Sequence, residues 1–551
     1  MKKKVLSVLL ASAMVMSMAA CGSTENTDAP AQKSSEAAPA QSSEAAPAQS
    51  SEAAPTEFQL TEPISVVVNG TVNYVKENSG EKEFVAALNE AVSESMGYDV
   101  TFEFTQLDHS GYVDAVGRLF AGGDYPDVMV MSADMFKQYA PTGILYDMAA
   151  DYDNAEFHAR MTLPAINENL KDKDGHLYGF ASGYGNGCMT YVKQSWLDAV
   201  GIKAEDVKTY EDFYNMLLAF KNGDPDGNGV AGDTYGFVSA GFLGNEAPYI
   251  NYTAEFWQDS YPAIRQDENG VWYDGFQTEA TKQALLRLQQ AYKDGVIDPE
   301  SYTFGTKQAR EKFWSNDLTG SAGVFTYWAG SWYENIYNNL QKNEVNTELV
   351  QLAPIAEVAA VGGYLNREAP VWVIIDDGDG DNARESAIFK AFCETMLDGD
   401  KVQTLWTYGV EDVHWSTKAE TITSGTGEKQ KVVEYKEGEF HLRNTFADPT
   451  ALFSKNNIDP ALVVSPLTNG FNSVSDMASV SNKFFTDNCI DAPQSPSCET
   501  FTNESGNIHD AKMAAIASVV VEGGDVDAAM AKYVETVGAT IEQCLSELNA
   551  Q

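Results

Sequence analysis

At 551 residues, 44% of them hydrophobic, the chain is long enough to build two lobes or domains around sizeable cores. Its 36 Lys and Arg face 80 Asp and Glu, a formal net charge of −44. A field of that sign excludes nucleic acid and anionic lipid headgroups as partners. It also disfavours an anionic ligand, unless local Arg or Lys residues override it, and leaves neutral or cationic solutes.

Lys2, Lys3 and Lys4 open the chain, Val5 to Met18 follow as an uncharged, mostly apolar run, and Ala19-Ala20-Cys21-Gly22 closes it. A basic head, a short apolar stretch and a small-residue exit describe a secretory signal over residues 1–20. The run falls short of the roughly 20 residues of a membrane span, and no second long apolar run follows. Met18-Ala19-Ala20-Cys21 resembles a bacterial lipobox, which would make Cys21 the lipidated first residue of an exported, tethered chain. After Cys21, residues up to 57 read as a disordered tether. Ser-Ser-Glu-Ala-Ala-Pro recurs from Ser34, Ser42 and Ser50, with almost nothing to bury against chain entropy. Cys188, Cys393, Cys489, Cys498 and Cys544 remain, an odd set that is no disulfide framework, although Cys489 and Cys498 flank a Pro-containing loop and could pair.

Folded sequence starts near Phe58. Ile64 to Val68 is a β-branched strand, Phe84 to Met96 has helical spacing, and Val100 to Phe104 alternates as a strand. Tyr112 to Phe120 is helical again, before the strand Pro126 to Met131. Strands alternating with helices imply βαβ units and a mainly parallel sheet. In such sheets ligands meet the loops at the carboxyl ends of strands. Those loops hold Asn69-Gly70-Thr71, Asp108-His109 and Ser132-Ala133-Asp134, with no GxGxxG or Walker motif among them.

Six segments then fall in a telling order: Ala121 to Val128 (AGGDYPDV), Lys173 to Phe180 (KDGHLYGF), Tyr191 to Gly201, Thr209 to Phe213 (TYEDF), Tyr292 to Glu300 (YKDGVIDPE) and Gly409 to Trp415 (GVEDVHW). Together they resemble the extracellular solute-binding proteins, family 1, of ABC importers. The resemblance implies a two-lobed periplasmic-binding-protein-like (type II) α/β fold, with an interlobe cleft and hinge crossings. It places lobe 1 at residues 58–182 and 368–415, and lobe 2 at 186–362 and 445–551. Crossings are expected near Ala181 to Gly185, near Gly362 to Pro370, and between Trp415 and Asn444, with Gly183, Gly185, Gly362 and Gly363 as hinge points. It further implies a monomer, lipid-anchored at the extracytoplasmic face of the cell membrane, that passes its solute to ABC permease subunits.

Asp224-Pro225-Asp226-Gly227-Asn228-Gly229-Val230 carries oxygen side chains at positions one, three and five and Gly at six, the first half of an EF-hand loop. The Val230 carbonyl would stand at position seven. Tyr235 replaces the usual Glu at twelve, and Asp233 is the expected substitute. A structural Ca2+ is the expectation, an acidic Asx-turn without metal the alternative. Asp377-Gly378-Asp379-Gly380-Asp381 lacks the sixth-position Gly and reads as a solvated turn.

Sugar rings stack on indole and phenol, and their hydroxyls need paired donors and acceptors. Trp328 and Trp332, after the Ala322 to Phe325 strand, are the leading stacking candidates, followed by Tyr184, Trp257, Trp372 and Trp415. Asn69, Ser132, Asp134, Asn186, Glu411 and His414 are the candidate polar partners, while Arg265, Arg310 and Arg367 are expected at the surface, with neutralisation of an acidic ligand as their alternative role. Thr421 to Glu437 reads as a hairpin, and Asn444-Thr445-Phe446 and Asn469-Gly470-Phe471 as returns to the cleft. Met513 to Val521 and Val526 to Leu548 read as closing helices. No GxSxG, HExxH or SxxK motif stands in a fitting context, and the scattered acids single out no carboxylate pair, so no enzyme is expected. Capture of a neutral oligosaccharide is the reading, with a peptide-like ligand or an anchored binder without transport as alternatives.

Overall fold

The computed structural model describes residues 58–70, 80–108, 111–161, 166–172, 174–244, 247–315, 320–424, 431–443, 458–472 and 474–550. Residues 1–57 with Cys21, as well as His109 and Asn444-Thr445-Phe446, lie outside the described residues.

Strand β1 (Ile64–Gly70) is β-branched because it is covered on both faces. Ile64, Val66 and Val68 enter one core and Val67 the other. Helix α1 (Glu81–Met96) leads to β2 (Phe102–Asp108), α2 (Tyr112–Gly122) to β3 (Val128–Met131), and α3 (Ala133–Tyr139) follows at once. Both β2 and β3 run parallel to β1, one on either side. The carboxyl ends of these strands therefore share one edge, which carries Asn69, Asp108 and Ser132.

The second lobe begins with β4 (Cys188–Lys193). Thr209 then opens α4 (Tyr210–Asn222) with a reciprocal cap: its hydroxyl accepts from the Asp212 N–H at 3.2 Å, and the Asp212 carboxylate accepts from the Thr209 N–H at 3.0 Å. Then come β5 (Tyr235–Val238), α5 (Thr306–Trp314), β6 (Ala322–Trp328), α6 (Ser331–Lys342) and β7 (Leu349–Gln351). This sheet has the order β5-β6-β4-β7 and is mixed: β5 is parallel to β6, whereas β4 is antiparallel to both its neighbours.

The chain then returns. Strand β8 (Tyr364–Asn366) precedes β9 (Val371–Ile374), which lies antiparallel to β3 and completes the first sheet as β9-β3-β1-β2. Helices α7 (Ala383–Ile388) and α8 (Lys401–Tyr408) cover that lobe. A hairpin, β10 (Glu420–Ser424) with β11 (Lys431–Tyr435), pairs Ile422 with Val433. Helix α9 (Asp476–Asp487) packs on α6, and β12 (Cys489–Asp491) runs parallel to β8. Helices α10 (Glu499–Ile516) and α11 (Val526–Asn549) finish on the second lobe. Helix α10 starts well before the expected Met513, because Phe501 and Ile508 bury where the sequence shows little periodicity.

Residues 180–187 and 366–372 cross between the lobes side by side. Phe180 bridges Trp372, Gly187 bridges Asn366, and the Arg367 N–H donates to the Asn186 carbonyl at 3.0 Å. A third segment lies along the other edge of the first, with Tyr184 N–H donating to Leu462 O at 2.7 Å and Val464 N–H to Ser182 O at 3.1 Å. The third passage therefore lies beyond residue 458, not between Trp415 and Asn444. Trp415 and Phe440 pack together with Tyr408 of α8, and Ile458 and Val464 belong to the core under β1, so these residues stay with the first lobe. Cys489 and Cys498 are unbonded, like the other described cysteines; the Cys498 thiol instead faces the Cys544 carbonyl at 3.9 Å.

The expected hinge glycines serve two different ends. Gly362 and Gly363 hold φ values of 110° and 108°, which side chains rarely adopt. Gly185 is small because the crossings touch: a Cβ there would overlap the Arg367 carbonyl. Gly185→Ala is expected to cost about 2–4 kcal/mol of stability, since neither backbone can retreat. Urea unfolding of the two proteins at equal slope checks this.

Candidate functional site

Where β3 ends, Ser132 caps α3 by accepting from the Met135 N–H at 3.4 Å, and this aims Asp134 across the cleft from the first turn. The Asp134 carboxylate accepts from the Ala247 N–H at 2.8 Å and the Tyr249 hydroxyl at 3.1 Å, both in the second lobe, and from the Ser495 hydroxyl. Three residues on, Lys137 pairs with Glu368 of the second crossing at 2.6 Å. Ser132, Ala133, Asp134, Ala247, Arg367 and Ser495 line a gap whose free space, about 20 Å3, is of the order of one water molecule. A larger solute enters at this point only if the lobes part.

Arg367 joins this gap to the aromatic side of the cleft. Its guanidinium lies over the Trp328 ring at 4.2 Å, a cation–π contact on a half-buried indole. Trp328 is the last residue of β6 and stands opposite Cys188 at the start of β4, so the strand itself delivers the ring to the crossing. Asn186 is buried and structural: its amide donates to Ala329 O at 3.0 Å, and its side-chain oxygen accepts from the Gly187 N–H at 2.8 Å. Tyr184 is half-buried on the same crossing, and burial pushes its phenol above the ordinary range, which keeps it a neutral donor. Asn69 stands half-buried on the same edge of the first sheet as Ser132.

The structure thus brings Ser132, Asp134, Tyr184, Asn186 and Trp328 around the crossings. It does not bring the other candidates there. Trp257 is fully buried in the second lobe's core, its N–H satisfied by Phe242 O at 2.8 Å and the Thr253 hydroxyl at 3.0 Å. Trp372 is buried against Phe392 and Trp406. Trp415 is buried among Tyr408, Leu467, Phe440 and Phe471, and its N–H donates to Gly409 O at 2.9 Å. His414 is buried with its Nδ1 accepting from the Val410 N–H at 3.0 Å, and Glu411 is exposed beside it on the Trp415 turn. Each of these four buried groups is held by packing and cannot reach a ligand. Trp332 is half-buried in α6, edge-on to Tyr327 at 5.0 Å and under Arg310 at 4.8 Å. Tyr249 and Ser495 are the cleft residues that sequence reasoning missed, and Arg367, expected mainly at the surface, lines the gap with them. Only tertiary proximity selects them, since no motif marks 247–249 or 492–495.

The cation loop closes the turn from α4 to β5. Asn228 donates to Asp226 at 3.2 Å and Asp233 at 2.8 Å, Gly229 N–H donates to Asp224 at 3.0 Å, and Val230 N–H donates to Asn228 Oδ1 at 2.7 Å. One buried oxygen each of Asp224 and Asp233 has no hydrogen-bond partner among the described residues. Burial, then the neighbouring Asp224 and Asp233, raise the pKa of Asp226. Crowded acids with orphaned oxygens fit a hard cation. Because β5 runs parallel to β6 and starts beside Ala322, this loop sits at the end of the sheet away from Trp328.

The sequence profile of a family described as "Bacterial extracellular solute-binding protein" matches residues 83–408, more than half of the chain. Lipoprotein LipO of Bacillus subtilis is 27% identical over 260 residues, 45% of this chain and 48% of that protein. The fructooligosaccharide ABC transporter substrate-binding protein FusA of Streptococcus pneumoniae is 28% identical over 191 residues, 31% of this chain and 33% of its own. The chain thus spans half or less of the length of these curated relatives. Among solved structures, an HMO-binding, ABC-transporter-associated solute-binding protein of Bifidobacterium longum infantis superposes with a TM-score of 0.59 at 14% identity, covering 89% of this chain and 98% of that one. FusA itself, as an EF-hand mutant with fructo-nystose, gives a TM-score of 0.53 at 16% identity, covering 89% and 98%. At these identities the likeness is one of fold: two lobes around a cleft.

Asp134→Ala removes the acceptor shared by Ala247, Tyr249 and Ser495. The lobes should part more often, which small-angle scattering reads as a larger radius of gyration, and stability should fall by about 1–3 kcal/mol.

Proposed function

Since the chain belongs to the bacterial extracellular solute-binding proteins, we propose that it captures a neutral oligosaccharide between its lobes and hands it to an ABC permease. The observation that carries this reading is Arg367 of the connection, which lines one gap with Asp134 of the first lobe and lies over Trp328 of the second. A half-buried indole offers a sugar face, and carboxylate, hydroxyl and guanidinium groups within reach offer paired donors and acceptors. Formal charge nearly cancels there, with Asp134 and Glu368 against Lys137 and Arg367, which suits an uncharged guest better than an ion. Relatives named for fructooligosaccharide and HMO binding support the same class of ligand. Binding favours the closed state only by the difference in affinity between closed and open forms, so contacts from both lobes are what the mechanism needs. Nothing in this arrangement performs bond chemistry.

Anchoring by Cys21 at the outer face of the membrane completes the proposal, supported by the signal-like start and by LipO being a lipoprotein. Ca2+ in the loop of Asp224, Asp226, Asn228, Val230 and Asp233 belongs to it as well, supported by the orphaned oxygens and by the EF-hand of FusA. Bound there, the ion would neutralise the crowded carboxylates and pin the α4–β5 turn.

Calorimetry with neutral oligosaccharides tests the central reading. Heat is expected with at least one glycan, and Trp328→Ala should weaken it about tenfold, roughly 1.4 kcal/mol. Heat with peptides and none with glycans would overturn it. Chelation should lower Tm by several degrees in the unaltered protein and by clearly less in Asp226→Asn. Glycan affinity should change less than twofold in that variant, because the loop is remote from the cleft.

A further inference from the structure

We propose that the turn between β9 and α7 is a second hard-cation site, holding Ca2+ through Asp376, Asp377 and Glu385. Carboxylate oxygens of the three lie within 4.8 Å of one another. Glu385 is 1% exposed and rises into the cluster from the first turn of α7. One of its oxygens accepts weakly from the Asp377 N–H at 3.4 Å; the other is buried and has no hydrogen-bond partner among the described residues. A carboxylate withdrawn from water and left half-unsatisfied beside two more acids loses free energy unless a proton or a cation joins it, and three converging acids give a cation more than one ligand.

The nearest side-chain cation serves another partner. Arg384, next along α7, lies close enough for its charge to act on Glu385 and Asp377, but its ion pair is with Asp127 at 2.7 Å, and Asp127 also accepts from Ser65. Asp151, packed from the neighbouring helix, takes the hydroxyls of Tyr146, at 2.7 Å, and of Ser386, and adds further negative charge. The backbone is already folded to present oxygens. Asp376 N–H is fixed on Ile144 O at 3.0 Å, and Asp376, Asp377 and Asp379 each accept from the N–H two residues on at 2.7–2.9 Å.

The donors are all oxygens, which selects hard cations over zinc or copper. An irregular loop with carboxylates and nearby carbonyls suits the larger, geometrically tolerant Ca2+ better than Mg2+. The location defines the role. Strand β9 runs antiparallel to β3 and ends beside Val128, at the edge of the sheet opposite Ser132 and the cleft. The ion would fasten α7 to the sheet of the first lobe and leave the ligand untouched. It is independent of the loop at Asp224, which belongs to the other lobe.

The test counts calcium on the whole protein. After chelation, titration calorimetry with CaCl2 is run on an Asp226→Asn, Asp233→Asn background, where the second-lobe loop is disabled. One equivalent should still bind, with Mg2+ at least tenfold weaker. Adding Asp377→Asn, at an exposed position, should weaken that equivalent tenfold or more. Glu385→Gln should do the same, and should raise Tm in chelator because the repulsion is gone, an effect a purely structural glutamate would not give. No uptake at millimolar Ca2+ on that background, or uptake unaltered by both variants, would sink the site. If the loop at Asp224 binds nothing while an Asp377-dependent equivalent remains, this site stands and only the other falls.

Discussion

Everything about this molecule hangs on the contact between two crossing backbones. Residues 180–187 and 366–372 run antiparallel, joined by bridges at Phe180–Trp372 and Gly187–Asn366, and Gly185 touches the Arg367 carbonyl. A third segment adds hydrogen bonds from Tyr184 and Val464 on the other side. Three adjacent strand-like segments resist stretching, because pulling them apart breaks backbone hydrogen bonds. They resist twisting far less, since small dihedral changes spread over several residues. Lobe motion is thereby confined to opening and closing about one line. The groups that meet across that line, Asp134 with Ala247 and Tyr249, are set by where β3 and the crossings end.

Charge is distributed to match. A net of −44 would be a liability near an acidic guest, but the junction itself is close to neutral because Lys137 and Arg367 stand among its acids. The densest carboxylate groups lie elsewhere, in turns at the ends of the two sheets that point away from the cleft. Each turn is short and tied to a helix, so a divalent ion held there, as proposed, would leave the binding surface undisturbed. Distance from the cleft lets the same acidic surface favour solubility without repelling the solute.

How far the residues foretold this depends on how local each feature is. The run Ile64 to Val68 and the alternation of strands and helices up to Met131 were plain, because burial on two faces forces β-branched residues into consecutive positions. The acidic loop after Asn222 was equally visible, contained within a dozen residues. The third crossing was misplaced because Phe440, far along the chain from Trp415, returns to pack on Trp415 and Tyr408, a contact that no local pattern announces. Antiparallel β4 escaped notice for a related reason: strand direction is set by partners far along the chain. The cleft itself was only half legible. Ser132 and Asp134 follow from a strand end, whereas Tyr249 and Ser495 come from segments with no pattern of their own.

The tryptophans show most clearly what composition can and cannot say. An indole is large, so a protein of this size spends most of its Trp on core, and Trp257, Trp372 and Trp415 each also bury a satisfied or well-packed ring. What separates Trp328 is its place at the very end of β6, where the lobe's interior gives way to the crossing. Arg367 then covers the ring, and this is more than a neighbourly contact. A guanidinium stacked on an indole at 4.2 Å shields apolar surface from water while the lobe is empty, yet it is tethered to a crossing that moves with closure. A sugar stacking on Trp328, as proposed, would have to share or displace that arginine. Stacking at this ring would thus be coupled to the conformation of the connection, and through it to the separation of the lobes.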